Sequence, residues 1–69
     1  NLAGAYMILT PNNPKSSGIS RQINAKDRQD LKNLLPKLQI PKHSGLIIRT
    51  EGAGKGLEEL QWEVDHLTQ

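Results

Sequence analysis

A chain of 69 residues can bury only about 60% of the surface that its unfolded form exposes, so it is at most one domain. It has no cysteine, which excludes disulfides and thiolate zinc sites, and its formal net charge of +2 is too small to indicate a nucleic-acid partner by itself. Hydrophobic residues make up 35% and charged residues of both signs 23%, a composition typical of a globular rather than a disordered chain.

The first predicted element is a strand over residues 3–10, because the run AGAYMILT is nearly all apolar and a proline follows it. Turn-forming residues then fill positions 11–18, and a second short apolar run covers residues 19–23. We expect the two runs to pair as a hairpin with a long loop.

A helix is predicted next, starting at Asn24 as the N-cap, with Asp27 in the first turn where a negative charge suits the helix dipole. Four leucines then follow at the spacing of an amphipathic helix: Leu31, Leu34, Leu35 and Leu38. Pro36 lies inside this pattern and removes a backbone donor, so regular helix should stop near Leu35.

The segment GLIIRT at residues 45–50 predicts a buried strand with a polar end. Three glycines interrupt the chain after it, and a second helix is indicated by an apolar stripe of Leu57, Leu60, Val64 and Leu67, with Trp62 read as core. The predicted order is β-β-α-β-α. It indicates a small single-domain α+β fold with two helices packed on a small sheet.

The loop between that strand and helix, GAGKG at residues 52–56, could present backbone N–H groups to a phosphate. It does not fit the P-loop pattern, because Arg49 stands where that pattern needs glycine and Gly56 stands where it needs serine or threonine. Nucleotide hydrolysis is therefore disfavoured. Anion binding and a simple glycine turn both remain open.

Other chemistry is weakly indicated. His43 and His66 stand far apart without a partner motif, and they are read as surface residues. The second helix carries four carboxylates, which we interpret as solvent-exposed charge rather than as a cation site: Glu58, Glu59, Glu63 and Asp65. Tyr6 and Trp62 are the only aromatic residues, too few for a base-stacking platform. The sequence thus predicts no catalytic and no metal-binding residue in this chain.

Charge is distributed unevenly. Residues 15–28 hold four bases and one acid, whereas residues 58–65 hold four acids and no base. The basic residues are candidate contacts for an RNA backbone: Lys15, Arg21, Lys26 and Arg28. An ordinary solvated surface explains the same pattern equally well.

Three segments in order, LAGAYMILTPNNPKSSGISRQI, DRQDL and GLIIRTEGAGK, resemble the bacterial ribonuclease E/G family over almost the whole chain. The PNNP turn followed by GISR is more similar to the ribonuclease E branch. In that family the stretch follows an S1 RNA-binding domain and precedes an RNase H-like region. The resemblance therefore implies that residues 1–69 form the 5′-sensor subdomain, cut from a longer protein, as the missing initiator Met also suggests.

The resemblance implies a pocket for the 5′-phosphate of RNA at Gly4, Ile8, Arg49 and Thr50. Arg49 would offer a bidentate fork, Thr50 a hydroxyl or backbone donor, and Ile8 an apolar wall for the first nucleotide. Adjacent strand residues point to opposite faces, so Arg49 and Thr50 can share one phosphate only if the chain turns at Thr50. The sequence departs from the family at Glu51, where a small residue is usual, and at Gly56, where serine is common.

The resemblance further implies a parent endoribonuclease that cleaves single-stranded, often AU-rich RNA in mRNA decay and in rRNA or tRNA processing. The parent would be a homo-oligomer and a member of an RNA-decay assembly, with magnesium and zinc bound by residues outside this chain and no cofactor within it. With neither a signal peptide nor an apolar span of about 20 residues, a soluble cytoplasmic protein is expected. A general RNA-backbone binder and a structural spacer remain as alternatives.

Overall fold

The computed structural model describes residues 2–69 as a four-stranded mixed sheet and two helices, which confirms the α+β prediction. The strands lie in the order β1-β2-β4-β3. The elements are β1 (Leu2–Ala3), β2 (Met7–Thr10), β3 (Gly18–Ile19), α1 (Ala25–Leu34), β4 (Gly45–Ile48) and α2 (Leu57–Leu67), with 3-10 turns at Leu35–Lys37 and Thr50–Gly52.

The single strand predicted over residues 3–10 is wrong, because the chain reverses within it. β1 and β2 pair antiparallel, with Ala3 opposite Ile8, and the Gly4 N–H donates to the Met7 carbonyl at 2.8 Å. A continuous apolar run shows that residues are covered by other atoms, but it does not show that the backbone is straight. We call residues 4–6 the Gly4–Tyr6 loop.

The predicted hairpin between the first two apolar runs is also wrong. β3 pairs with β4 in parallel, while β2 pairs with β4 antiparallel, so β4 lies between β2 and β3. Parallel neighbours need a crossover, which α1 supplies between β3 and β4. The strand itself is shorter than the 19–23 run, and Ile23 enters the core from the approach to α1.

The prediction for α1 is confirmed at both ends. The Asn24 side chain accepts a hydrogen bond from the Asp27 N–H at 2.8 Å, so it caps the helix as expected. Regular helix ends at Leu34, and the tighter 3-10 turn Leu35–Lys37 contains Pro36 in its first turn, where a proline is tolerated. The chain then turns extended at Leu38, which is buried.

Pro36→Ala should therefore leave the stability of the chain almost unchanged. Proline in a helix interior costs about 3 kcal/mol relative to alanine, but Pro36 lies beyond the end of α1 and that penalty does not apply. We expect a change in the free energy of unfolding within about 0.5 kcal/mol by urea titration. A stabilisation of about 2 kcal/mol or more would mean that α1 is held short only by the proline.

One face of the sheet and the apolar sides of both helices make up a single core. Its side chains are Met7, Leu9, Ile23, Leu31, Leu38, Leu46, Ile48, Leu60 and Val64. Strand alternation turns Ile8 and Ile47, which are opposite each other in β2 and β4, toward the other face, where they are half-buried. The sheet thus keeps one partly open apolar face.

The prediction that Trp62 of α2 belongs to the core is wrong, since this residue is 63% exposed. Its ring stacks on His66, with the centroids 5.1 Å apart. Trp62 lies two residues after the buried Leu60, which places it about 200° around the helix and away from the sheet. Gln61, the residue before Trp62, joins α2 to the segment before β4. Its side chain accepts a hydrogen bond from the Gln39 N–H at 2.8 Å and donates one to the Gln39 carbonyl at 3.0 Å.

Among the described residues, no helix is both long enough and apolar enough to cross a membrane.

Candidate functional site

Arg49 and Gly4 are in direct contact although 45 residues separate them along the chain. Arg49 directly follows β4, and its N–H donates to the Tyr6 carbonyl at 2.8 Å, which extends the pairing of β2 with β4. The exposed guanidinium donates from Nη1 to the Gly4 carbonyl at 2.9 Å. Two carbonyls of the Gly4–Tyr6 loop therefore hold Arg49, one by its backbone and one by its side chain.

Ile8 lies beside this contact on the open face of the sheet. It is opposite Ala3 in β1 and Ile47 in β4. Arg49 follows Ile47 by two residues, so strand alternation directs both to the same face. The structure thus places an apolar side chain, Ile8, and the exposed Arg49 on the same face of the sheet.

Thr50 lies where the chain turns. The 3-10 turn Thr50–Gly52 begins directly after Arg49, which satisfies the condition for both residues to face one ligand. The Thr50 hydroxyl donates to the Glu51 carboxylate at 3.0 Å, so this hydroxyl has a partner in the absence of ligand. Glycine at position 52 lets this turn lie close to Ile48 and Tyr6. A Cβ there would lie 2.8 Å from the Ile48 Cγ2 and 3.0 Å from the Tyr6 carbonyl oxygen.

Glu51 brings a negative charge to the same turn. A hydrogen bond from its own backbone N–H is the largest cause that lowers the pKa of the Glu51 carboxyl, and the Thr50 hydroxyl adds to it. The Arg49 charge also lowers it, whereas desolvation opposes the shift. With the pKa below its usual value, Glu51 is ionised at neutral pH.

Glu63 was predicted to be solvated surface charge, and this is wrong. Its side chain is only 5% exposed, and its carboxylate accepts hydrogen bonds from three consecutive backbone N–H groups. The donors are Ala5 (3.0 Å), Tyr6 (2.8 Å) and Met7 (3.0 Å). The helical pattern held the signal, because position 63 lies three residues after Leu60 and four before Leu67, on the inward side of α2.

The four basic candidates for an RNA backbone do not have equivalent surroundings. Arg28 is half-buried, and its guanidinium donates to three carbonyls between β3 and α1, those of Ile19, Ser20 and Ile23 at 3.2, 2.8 and 3.3 Å. These bonds stabilise the segment that leads into α1. Lys15, Arg21 and Lys26 are exposed.

The glycine-rich loop holds its lysine against other protein groups. Gly54 has a φ of +77°, a conformation that glycine adopts without strain. The Lys55 ammonium lies 5.2 Å from the centroid of the Tyr6 ring and 3.8 Å from the Glu59 carboxylate. Glu59 also accepts from the Gly56 N–H at 3.3 Å at the start of α2. These contacts favour the interpretation as a turn over that as a phosphate-binding loop.

Within residues 2–69, no group of three or more histidine or acidic side chains is arranged to hold a metal ion.

Comparison with known proteins agrees with the resemblance seen in the sequence, since the model of the "Ribonuclease E/G family" matches residues 1–69. The chain belongs to the ribonuclease E/G family. It is 56% identical over 63 residues to Ribonuclease E of Buchnera aphidicola subsp. Schizaphis graminum and 52% identical over 64 residues to Ribonuclease E of Escherichia coli, which is 91% and 93% of the chain. A chloroplastic Ribonuclease E/G-like protein of Arabidopsis thaliana is 43% identical over 53 residues, 77% of the chain.

The ribonuclease E/G relatives are far longer than this chain. The matched region covers 6% of each of the two bacterial proteins and 5% of the chloroplastic one. The match establishes family membership for a small region.

Proposed function

We propose that this chain is the region of a ribonuclease E/G-family endoribonuclease that recognises the 5′-monophosphate of an RNA strand. It binds the 5′ end and helps to align the strand, and it does not cleave RNA itself. The observation that supports this most is the exposed Arg49 guanidinium, which donates to the Gly4 carbonyl at 2.9 Å on the same sheet face as Ile8 and directly before the turn at Thr50.

The geometry of Arg49 suits a terminal phosphate. One nitrogen, Nη1, is bonded to the Gly4 carbonyl, which leaves Nε and Nη2 to form a two-pronged contact with phosphate oxygens. A terminal monophosphate carries a charge of about −1.5 to −2 at neutral pH, whereas an internal phosphodiester carries one negative charge. Ile8 offers apolar surface to the first nucleotide, and Thr50 adds a hydroxyl when it leaves Glu51.

The parent protein would cleave single-stranded RNA in mRNA decay and in rRNA or tRNA processing. Magnesium and zinc would be bound by regions outside this sequence, and the parent would act as a homo-oligomer within an RNA-decay assembly in the cytoplasm. The support for this wider proposal is membership of the ribonuclease E/G family.

Titration of the isotope-labelled chain with two short single-stranded RNAs tests the proposal, one ending in a 5′-monophosphate and the other in a 5′-hydroxyl. We expect the 5′-phosphorylated RNA to bind more tightly and to shift the NMR signals of Gly4, Ile8, Arg49 and Thr50. Equal affinities, with shifts centred on the exposed bases Lys15, Arg21 and Lys26, would instead identify a general RNA-backbone binder. No shifts with either RNA would favour a structural spacer.

Glu51→Ala should tighten binding of the 5′-phosphorylated RNA. Its ionised carboxylate lies two residues after Arg49 and accepts a hydrogen bond from the Thr50 hydroxyl, so the change removes a charge of the same sign as the phosphate and releases a donor. We expect a gain of about two- to threefold at low ionic strength, and a smaller gain in high salt. Glu58→Ala, which removes an exposed carboxylate of α2, is the matched control and should change little. An unaltered affinity for Glu51→Ala at low ionic strength would place Glu51 away from the bound phosphate.

A further inference from the structure

We propose that Glu63 is a positioning residue for Arg49 and sets the preference for a 5′-phosphate without touching RNA. The inference rests on the proposed function for its RNA part. Its structural part, that the Glu63 carboxylate fixes the orientation of the Arg49 guanidinium through the Gly4–Tyr6 loop, stands on the contacts within the chain.

Glu63 binds the loop from its N–H side. Its Oε1 accepts from the N–H groups of Tyr6 and Met7 at 2.8 and 3.0 Å, and its Oε2 accepts from Ala5 at 3.0 Å. A carboxylate that accepts several backbone N–H bonds holds them more strongly than a neutral acceptor does. Because the side chain is 5% exposed, water cannot readily take its place.

Arg49 binds the same loop from its carbonyl side. Its Nη1 donates to the Gly4 carbonyl at 2.9 Å, and its backbone N–H donates to the Tyr6 carbonyl at 2.8 Å. The peptide group between Gly4 and Ala5 thus donates its N–H to Glu63 and receives Arg49 at its carbonyl. Since a peptide group is planar, fixing the N–H direction fixes the carbonyl direction that orients the guanidinium.

Gly4 is required for this arrangement. A Cβ at Gly4 would overlap the Oε1 atom of Glu63 and lie 2.5 Å from its Cδ. Glycine at this position leaves room for the buried carboxylate. The resemblance placed Gly4 in the phosphate pocket, and the structure supplies a separate reason for glycine at this position.

Glu63→Gln tests the inference, with Glu58→Gln as the matched control that removes the same charge from an exposed position of the same helix. Glutamine keeps the size of the side chain but exchanges one acceptor oxygen for an NH₂ donor that faces the loop N–H groups. We measure the amide shifts of Ala5, Tyr6 and Met7, the order of the Arg49 Nε–Hε group by heteronuclear NOE, and the affinity ratio for 5′-phosphorylated over 5′-hydroxyl RNA.

For Glu63→Gln we expect the three amide signals to move, the Arg49 side chain to lose order and the affinity ratio to fall by about three- to tenfold, as the weakening of one charge-assisted bond predicts. Glu58→Gln should retain all three values. An Arg49 side chain that stays ordered while the three amides shift would overturn the inference, as would an unchanged affinity ratio with a disordered Arg49.

If the unaltered chain shows no preference for the 5′-phosphate, the proposed function fails, and the order of Arg49 still decides whether Glu63 positions it. Gly4→Ala is a second test that can be used if Glu63→Gln fails to fold. The added Cβ would displace the flexible carboxylate end of Glu63 from the loop. The same loss of Arg49 order is expected there. An ordered Arg49 in folded Gly4→Ala, with the Ala5 and Tyr6 amides shifted, would also contradict the inference.

Discussion

Arg49→Ala is expected to remove a roughly 10- to 100-fold preference for 5′-phosphorylated over 5′-hydroxyl RNA. Hydrogen bonds to charged groups contribute about 1.5 to 3 kcal/mol, and each 1.4 kcal/mol is about tenfold in affinity. The affinity that remains should be the same for both RNAs, because the other exposed basic side chains are expected to contact only internal phosphates. Affinities near the millimolar range are expected where no second binding domain adds avidity, so chemical-shift mapping is the suitable measurement.

Two control variants sharpen this result. Arg49→Lys keeps the charge but loses the planar fork, and it should recover only a small part of the preference. Arg21→Ala removes an exposed basic side chain and should lower the affinity for both RNAs equally. If Arg49→Ala also weakened both RNAs equally, Arg49 would be a general backbone contact and the sensor proposal would fail.

The largest loss of stability is expected from Gly45→Ala. Gly45 is buried at the start of β4, opposite Thr10, and an added Cβ would overlap the carbonyl oxygens of Asn13 and Ser16 and lie 2.6 Å from the Thr10 hydroxyl. Backbone atoms cannot swing aside as a side chain can, so the added methyl group should cost about 3 kcal/mol, the upper end of the usual range for overpacking. In a domain of this size that lowers the melting temperature by more than about 10 °C, measured by circular dichroism.

Gly18→Ala is the matched control in the same sheet. Gly18 lies in β3 beside β4, and a Cβ there would meet nothing within 4 Å. The melting temperature should stay the same or rise slightly, because alanine restricts the unfolded chain more than glycine does. A similar loss in both variants would mean that the sheet needs glycine for backbone freedom rather than for space.

Features encoded by neighbouring residues were predictable from the sequence. The Asn24 cap and the end of α1 before Pro36 each depend on a few consecutive residues, and both are found where expected. The turn at Thr50, which Arg49 and Thr50 would need in order to share one phosphate, is also present. Local stereochemistry decides the cap and the end of α1.

Features that depend on distant partners were not predictable. The reversal at the Gly4–Tyr6 loop is stabilised by a carboxylate 56 to 58 residues away, and the parallel pairing of β3 with β4 requires the crossover through α1. Glu63 is a different case, because its helical position faces inward and could have been recognised, although the other acids of α2 are exposed. Trp62 was read as core, while its position on α2 directs it outward.

The bonds from Glu63 to the Gly4–Tyr6 loop also bear on how the chain folds during synthesis. Within this region they join the residues that follow β1 to the helix α2, across 56 to 58 residues. Until α2 has left the exit tunnel, the amides of Ala5, Tyr6 and Met7 lack the acceptor that they have in the folded structure, and closing so long a loop carries an entropic cost that local helix formation avoids. The α1 helix can form early, but the nascent chain should acquire its native sheet only after residue 63 emerges.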